Sequence, residues 1–390
     1  MNSKQNFNIP DGTRDLIFSE AELVSDTLKT LQGIYEKNGF RRVMTPAIEY
    51  YGVFEKSSAI SQENMYKLTD TNGKLIVLRA DNTMPIARVA STKLRAETLP
   101  LKLCYDQNVY RLNGDYSGKR RENIQSGVEY IGVGGIKSDI VCLLTAMEAL
   151  ASFGRDFKIE IGHVGFFNAL IEGMTDDREE IDRIRSYVDR KNTVSLDLID
   201  LPSMEKIRAL PLLYGDGEIV ARAKELAAGN EKALACLAYV EELYEALAAT
   251  GYRDNLLVDM GMVQEMDYYT GIVFRGYIEG AGESVLGGGR YDGLMENFGF
   301  ASPAIGFAIN VSESVDVLLR ARAKESGRSG VVLHFEKNDL PTAIRSKGAF
   351  ENSGILCELS PFEDYGQTEE YAKKNGMKVM RVEAAKGGLA

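Results

Sequence analysis

The stretch YRLNGDYSGKRRENIQSGVEYIG, Tyr110–Gly132, decides how this chain folds. It reads as two strands joined by a basic tip: an apolar run closes at Tyr110, NGDYSG at 113–118 breaks it, and ENIQSGVEYIG resumes in strand pattern. Arg111, Arg121, Gln125 and Glu129 recur at even spacings. Gln125 and Glu129 are four apart in an extended segment, so both side chains project from one sheet face. An amide and a carboxyl on an otherwise apolar sheet need partners if buried, and an amino group or an imidazole would serve.

On either side of this hairpin, from about 60 to 160, strand-length apolar runs alternate with tight turns such as DTNG at 70–73. Upstream, Ser19 and Glu22 fit a capping box, and Val24, Leu28, Leu31 and Tyr35 follow at helical spacing until Asn38-Gly39 stops the helix. FRRVMTPAIEY at 40–50 reads as a strand that must lie at an edge or break at Pro46, which has no N–H to donate. KSDIVCLLTAMEALASFG is an amphipathic helix and DFKIEIGHVG a returning strand. The stretch from 166 to 250 is rich in Ala, Leu and Glu with helical periodicity, and reads as a helical insertion. Strands resume at NLLVDMGMV, YYTGIVFRGYI and ESVLGGGRYDG, with an apolar helix expected at AIGFAINVSESVDVLL. RAKESGRSG at 322–330 has linker composition, and the tail reads β-α-β-α-β. The expected class is α+β: an antiparallel sheet flanked by helices. The expected division is a body at 1–165 and 251–321, a helical insertion at 166–250 and a small α/β unit at 328–390.

Composition bounds the function. With 44% hydrophobic and 26% charged residues, the 390-residue chain has the balance of a globular protein of two or three domains. No apolar run approaches the ~20 residues of a membrane-spanning helix. The start has no apolar core or small-residue cleavage site, so cytoplasmic residence is expected. Cys104, Cys142, Cys236 and Cys357 are scattered and read as buried free thiols rather than a zinc site. With only His163 and His334 in the chain, a histidine metal centre or a Ser-His-Asp triad has little material, and no metal or cofactor is expected. A net charge of −11 makes a nucleic acid a poor general partner.

Three further segments carry chemistry. LRADNTMP (78–85) reads as a strand ending in an Asx turn; MDYYTG (266–271) reads as a strand end with tyrosines; GGGRYDG (287–293) reads as a glycine-rich turn between strands, where backbone approaches a flat ligand closely. The order IPDGTRDL, TPAIEY, LRADNT, the long hairpin, MDYYTGIVF, GGGRYDGL and PAIGFAI resembles the catalytic domain of histidyl-tRNA synthetases over residues 5 to 320. DYYTG with GGGRYDG is specific to the histidyl branch of class II aminoacyl-tRNA synthetases. The resemblance implies a histidine-contacting set: Asp81 for the amino group, Gln125 and Glu129 with Glu129 on the imidazole, Arg111 as the motif 2 arginine, and Tyr269 and Tyr291 lining and closing the site.

The chain departs from that pattern where the resemblance puts catalytic arginines. Gln264 stands for the arginine at the substrate carboxylate and α-phosphate, Glu313 for the one on the ATP γ-phosphate, and Asn113 for an adenine-contacting glutamate. No arginine lies within five residues of Gln264 or Glu313. Replacing a cation by a carboxylate beside phosphate costs roughly 4 kcal/mol per unit-charge pair at ~4 Å with an effective dielectric near 20. Losing one preorganised charge-stabilising group costs roughly 10²–10³ in rate. A kept pocket with lost arginines resembles the regulatory subunits of short-form ATP phosphoribosyltransferase. That resemblance implies a non-catalytic dimer assembled with the short catalytic subunit in a larger hetero-oligomer, with histidine as effector and no tRNA. The alternative, an active or divergent histidyl-tRNA synthetase, predicts histidine-dependent ATP–pyrophosphate exchange.

Overall fold

The structure, a computed structural model, describes residues 8–55, 61–112, 119–263, 268–321 and 330–383. The NGDYSG tip, Asn113, Gln264 and the linker at 322–329 lie outside the described residues. The chain divides into two compact units, one up to Leu319 and one from Arg320.

The strands of the first unit are β1 (Arg41–Arg42), β2 (Ile48–Tyr50), β3 (Lys67–Thr69), β4 (Leu75–Leu78), β5 (Leu101–Tyr110), β6 (Glu122–Ile131), β7 (Phe157–His163), β8 (Tyr214–Gly215), β9 (Leu256–Asp259), β10 (Ile272–Ile278), β11 (Leu286–Arg290) and β12 (Ala304–Asn310). Its helices are α1 (Ser19–Lys37), α2 (Thr83–Ser91), α3 (Ile136–Ala151), α4 (Val164–Ile171), α5 (Arg178–Asp189), α6 (Thr193–Asp197), α7 (Met204–Ala209), α8 (Ile219–Leu226), α9 (Glu231–Leu247) and α10 (Val311–Ala321). Among the described residues a nine-stranded sheet runs β1-β5-β6-β12-β11-β10-β7-β9-β8. Strands β5 to β7 in this order are antiparallel, while β1 on β5 and β9 on β7 are parallel. A smaller sheet, β2-β4-β3, turns at Asp70, whose carboxylate accepts from the amides of Asn72 and Lys74.

Strand register gives the large sheet two different faces. Val128, Phe307, Gly288, Phe274 and Ile161 lie directly across from one another on one face, against α1 and α3. The adjacent row, on the other face, is Glu129, Gly306, Gly289, Val273 and Gly162. One face is therefore an apolar core, and on the other this row is mostly glycine with Glu129 as its one carboxyl. Gly306 has a direct reason: a Cβ there would run into the Glu129 carboxylate and the Val128 carbonyl.

Local expectations fail at three places and hold at a fourth. Ser19 is the first residue of α1, not its cap; Phe18 precedes it at φ 50 with no side-chain cap, and Glu20 is taken by Arg14. FRRVMTPAIEY breaks around Pro46 as expected, into two short edge strands in two sheets. GGGRYDG is not a turn, since Gly287–Arg290 lie inside β11. AIGFAIN is strand β12, and the helix starts only at Val311, because the segment is buried between β6 and β11. The helical stretch also contributes strand β8 to the main sheet, and Leu196, Ile207 and Leu237 join its core. Cys104, Cys142 and Cys357 are buried thiols, whereas Cys236 is half-buried.

The second unit has β13 (Gly330–Phe335), α11 (Leu340–Asn352), β14 (Leu356–Leu359), α12 (Tyr365–Lys374) and β15 (Lys378–Val382). Its parallel sheet runs β14-β13-β15. Leu333 packs with Ala343 of α11 and Val332 with Ala372 of α12, so the two helices cover opposite faces.

Candidate functional site

A cavity of about 520 Å³ opens over the glycine floor. Asp81, Arg111, Gln125, Glu129, Tyr269 and Tyr291 all line it, so segments far apart in sequence converge on one space. β6 carries Gln125 and Glu129 on the same floor face with Gly127 between them, as the spacing requires.

Glu129 is 1% exposed. Thr83 Oγ1 donates to its Oε1 at 2.7 Å, and the Tyr291 hydroxyl donates to its Oε2. Burial pushes its pKa up to about 8 despite those donors. The site therefore holds a fixed carboxyl that titrates near neutrality. Asp81 is half-buried and accepts the Met84 amide at 3.0 Å, closing the turn into α2. Burial raises its pKa too, with the Met84 amide and the Arg111 charge pulling the other way. Gln125 Oε1 accepts from Asn82 Nδ2 at 3.1 Å. Arg111 Nε donates to the Ala80 carbonyl at 2.8 Å, fixing the guanidinium beside the LRAD segment. Tyr268, Tyr269 and Tyr291 form an aromatic wall, with the first two ring centroids 4.8 Å apart and Tyr268 edge-on to Tyr291 at 5.9 Å.

Buried polar groups set the wall in place. Arg79 is 5% exposed and donates to the carbonyls of Asn108, Thr45 and Pro46, tying the LRAD turn to two other segments. Arg290 Nε donates to Asp139 Oδ1 of α3 at 3.0 Å, and its NH2 donates to Ser138. Tyr239 of α9 donates to the other Asp139 oxygen at 2.6 Å. The residue after Arg290, Tyr291, is the one that reaches Glu129, so this ion pair holds the tyrosine at its base.

Sequence reasoning missed Thr83, Asn82 and Arg275. Thr83 and Asn82 sit inside the quoted LRADNT run, beside Asp81. Arg275 is a charge on the cavity face of an otherwise apolar strand, IVFRGYI, and also lines the cavity.

The Histidyl-tRNA synthetase family profile matches residues 12–313. An ATP phosphoribosyltransferase regulatory subunit of Clostridium botulinum (strain 657 / Type Ba4) is 42% identical over 380 residues, covering 95% of this chain and 90% of that one. One of Bacillus cereus (strain AH820) is 37% identical over 378 residues, covering 94% and 89%. The chain belongs to the ATP phosphoribosyltransferase regulatory subunit family. A crystal structure described as an ATP phosphoribosyltransferase regulatory subunit/histidyl-tRNA synthetase from Bacillus halodurans C superposes with a TM-score of 0.85 at 29% identity, covering 97% of this chain and 99% of that one. Histidyl-tRNA synthetase from Nostoc sp. PCC 7120 shares the fold, with a TM-score of 0.79 at 22% identity over 96% and 90% of the two chains.

In this member of the regulatory subunit family, Glu313 lies in the first turn of α10. Its amide donates to Asn310 Oδ1 at 3.2 Å, an N-cap with a carboxylate three residues on. A negative charge suits the positive end of a helix, so Glu313 has a structural use where a phosphate-binding arginine would need a cation. No helix among the described residues is long and apolar enough to cross a membrane.

Proposed function

We propose that this chain is a non-catalytic regulatory subunit, required for the activity of a short ATP phosphoribosyltransferase catalytic subunit and responsible for its inhibition by histidine. Histidine is its effector, bound by Asp81, Arg111, Gln125, Glu129, Tyr269 and Tyr291. The supporting observation is Glu129, a buried carboxyl held by Thr83 and Tyr291 at the floor of the cavity. A carboxyl fixed in this way selects a ligand that brings an N–H of its own, and an imidazole does so within an aromatic wall. Histidine regulates the partner to the extent that it binds the active and inhibited assemblies with different affinity. The body at 1–165 and 251–321 carries these six residues, the 166–250 stretch is an insertion that adds Asp189 and Arg190 to the cavity wall, and 328–390 is a separate unit. A cytoplasmic dimer within a larger hetero-oligomer, with no tRNA bound, completes the reading.

The test has two arms. Co-expressed with a short catalytic subunit, the chain should co-purify, raise its activity and make it histidine-sensitive; an unchanged activity in the mixture rejects the reading. Histidine-dependent ATP–pyrophosphate exchange should be absent, and its detection would favour a working synthetase instead.

A further inference from the structure

We infer that Arg275 is the cation that recognises the carboxylate of the bound amino acid, and that Asp189 is the partner it exchanges to do so. This rests on the histidine reading above and names the residue that completes the site. An amino acid brings a carboxylate into the cavity, and an uncompensated anion there is strongly disfavoured. Position 264, where the synthetase pattern has an arginine, is a glutamine. Of the other two arginines that line the cavity among the described residues, Arg111 already gives its Nε to the Ala80 carbonyl and stands beside Asp81, and Arg190 caps the C-terminus of α5 instead of standing on the sheet floor.

Arg275 has the geometry to serve. It lies on the floor face of β10, two residues along from Val273 in the Glu129 row. Directly across, on β11, is Gly287, where an added Cβ would meet nothing within 4 Å; the guanidinium borders open cavity instead of a neighbouring side chain. On its other side, on β7, is Glu160, whose Oε2 accepts from the Tyr277 hydroxyl at 3.0 Å. Arg275 NH2 bonds Asp189 Oδ1 at 2.8 Å, and both residues line the cavity. Their side chains are 23% and 20% exposed, so a ligand reaches them without unfolding anything.

Asp189 is the last residue of α5, in the helical stretch. A ligand carboxylate is chemically the same acceptor as the Asp189 side chain, and guanidinium binds either through the same fork of donors. Binding then removes one tie between the end of α5 and the sheet, the Lys191–Asp259 pair at 2.8 Å being another. Occupancy of the cavity thereby becomes a change in how the helical stretch is held, which is the kind of differential contact that regulation needs.

Calorimetry on the full chain with histidine, histidinol (carboxylate reduced to an alcohol) and histamine (no carboxylate) tests this. The wild type should prefer histidine over histidinol by about tenfold or more, the scale of a charge-assisted pair. Arg275→Ala should abolish that preference while histamine binds within about twofold of wild type, which also shows that the variant is folded. Asp189→Asn should tighten histidine and leave histamine unchanged. A preference that survives Arg275→Ala, or that vanishes in Arg111→Ala with Arg275 intact, overturns the assignment. If Arg275→Ala binds none of the three, Arg275→Lys decides: a retained preference supports the role of the charge, and loss of all binding there too rejects it. A wild-type chain that binds no imidazole ligand sinks the histidine reading itself, and this inference with it.

Discussion

Glu129 shows how far one residue depends on its surroundings. Its position on the sheet face followed from spacing in the sequence, but its state did not. Burial raises its pKa from 4.5 to about 8, so the folded chain holds a proton that the unfolded chain releases. Its contribution to stability is full below the unfolded value, declines as pH rises, and is lost once pH passes about 8. The ligand-free protein should therefore melt at lower temperature at pH 8 than at pH 5. Glu129→Gln should flatten one part of that slope, on the order of a few kcal/mol, in melts taken across pH. The same substitution replaces one of the two acceptor oxygens by an NH2 donor and removes the charge that an imidazole N–H would face, and histidine binding should fall with it. Thr83 escaped notice because a threonine near a helix start has an ordinary use as a turn residue. Only the fold brings its hydroxyl to Glu129.

At the scale of elements, the glycine-rich strands make the cavity. Gly306→Ala would drive a methyl group into the Glu129 carboxylate and the Val128 carbonyl. Overpacking of this kind costs about 1–3 kcal/mol, and histidine binding should be lost in calorimetry. Gly287→Ala meets open space, and its melting temperature should match wild type. The contrast separates a glycine needed for packing from one that only leaves room. Asp139→Ala would leave the buried Arg290 guanidinium with only the more exposed Asp292 and the Ser138 hydroxyl as partners, and should cost about 1–3 kcal/mol in denaturant unfolding. Strand β11 was misread as a turn because three glycines in a row carry no strand propensity. Pairing with β10 and β12 overrides that weak local signal. β12 was misread as helix for the complementary reason: a short apolar run has no period of its own to separate a buried strand from a buried helix.

For the whole molecule, the two units predict separable behaviour. A chain ending at Ala321 should fold cooperatively and bind histidine with wild-type affinity, because every residue of the candidate site lies before that point. Calorimetric unfolding and histidine titration of the truncated chain check this; loss of binding would mean that the second unit supports the site.

The α+β class, most of the element order apart from β11 and β12, and the convergence of six residues on one cavity were legible in the sequence. The class and the elements depend on side-chain period and turn residues, which are local, and the six residues on the order of motifs that the chain shares with the histidyl-tRNA synthetase pattern, which is colinear. The Glu129 proton, the Arg290–Asp139 support under Tyr291 and the Arg275–Asp189 pair were not. Each depends on residues more than eighty positions apart meeting inside a low-dielectric space. Sequence periodicity fixes which face a side chain takes, whereas burial and charge at a site are set by what the fold brings across from it.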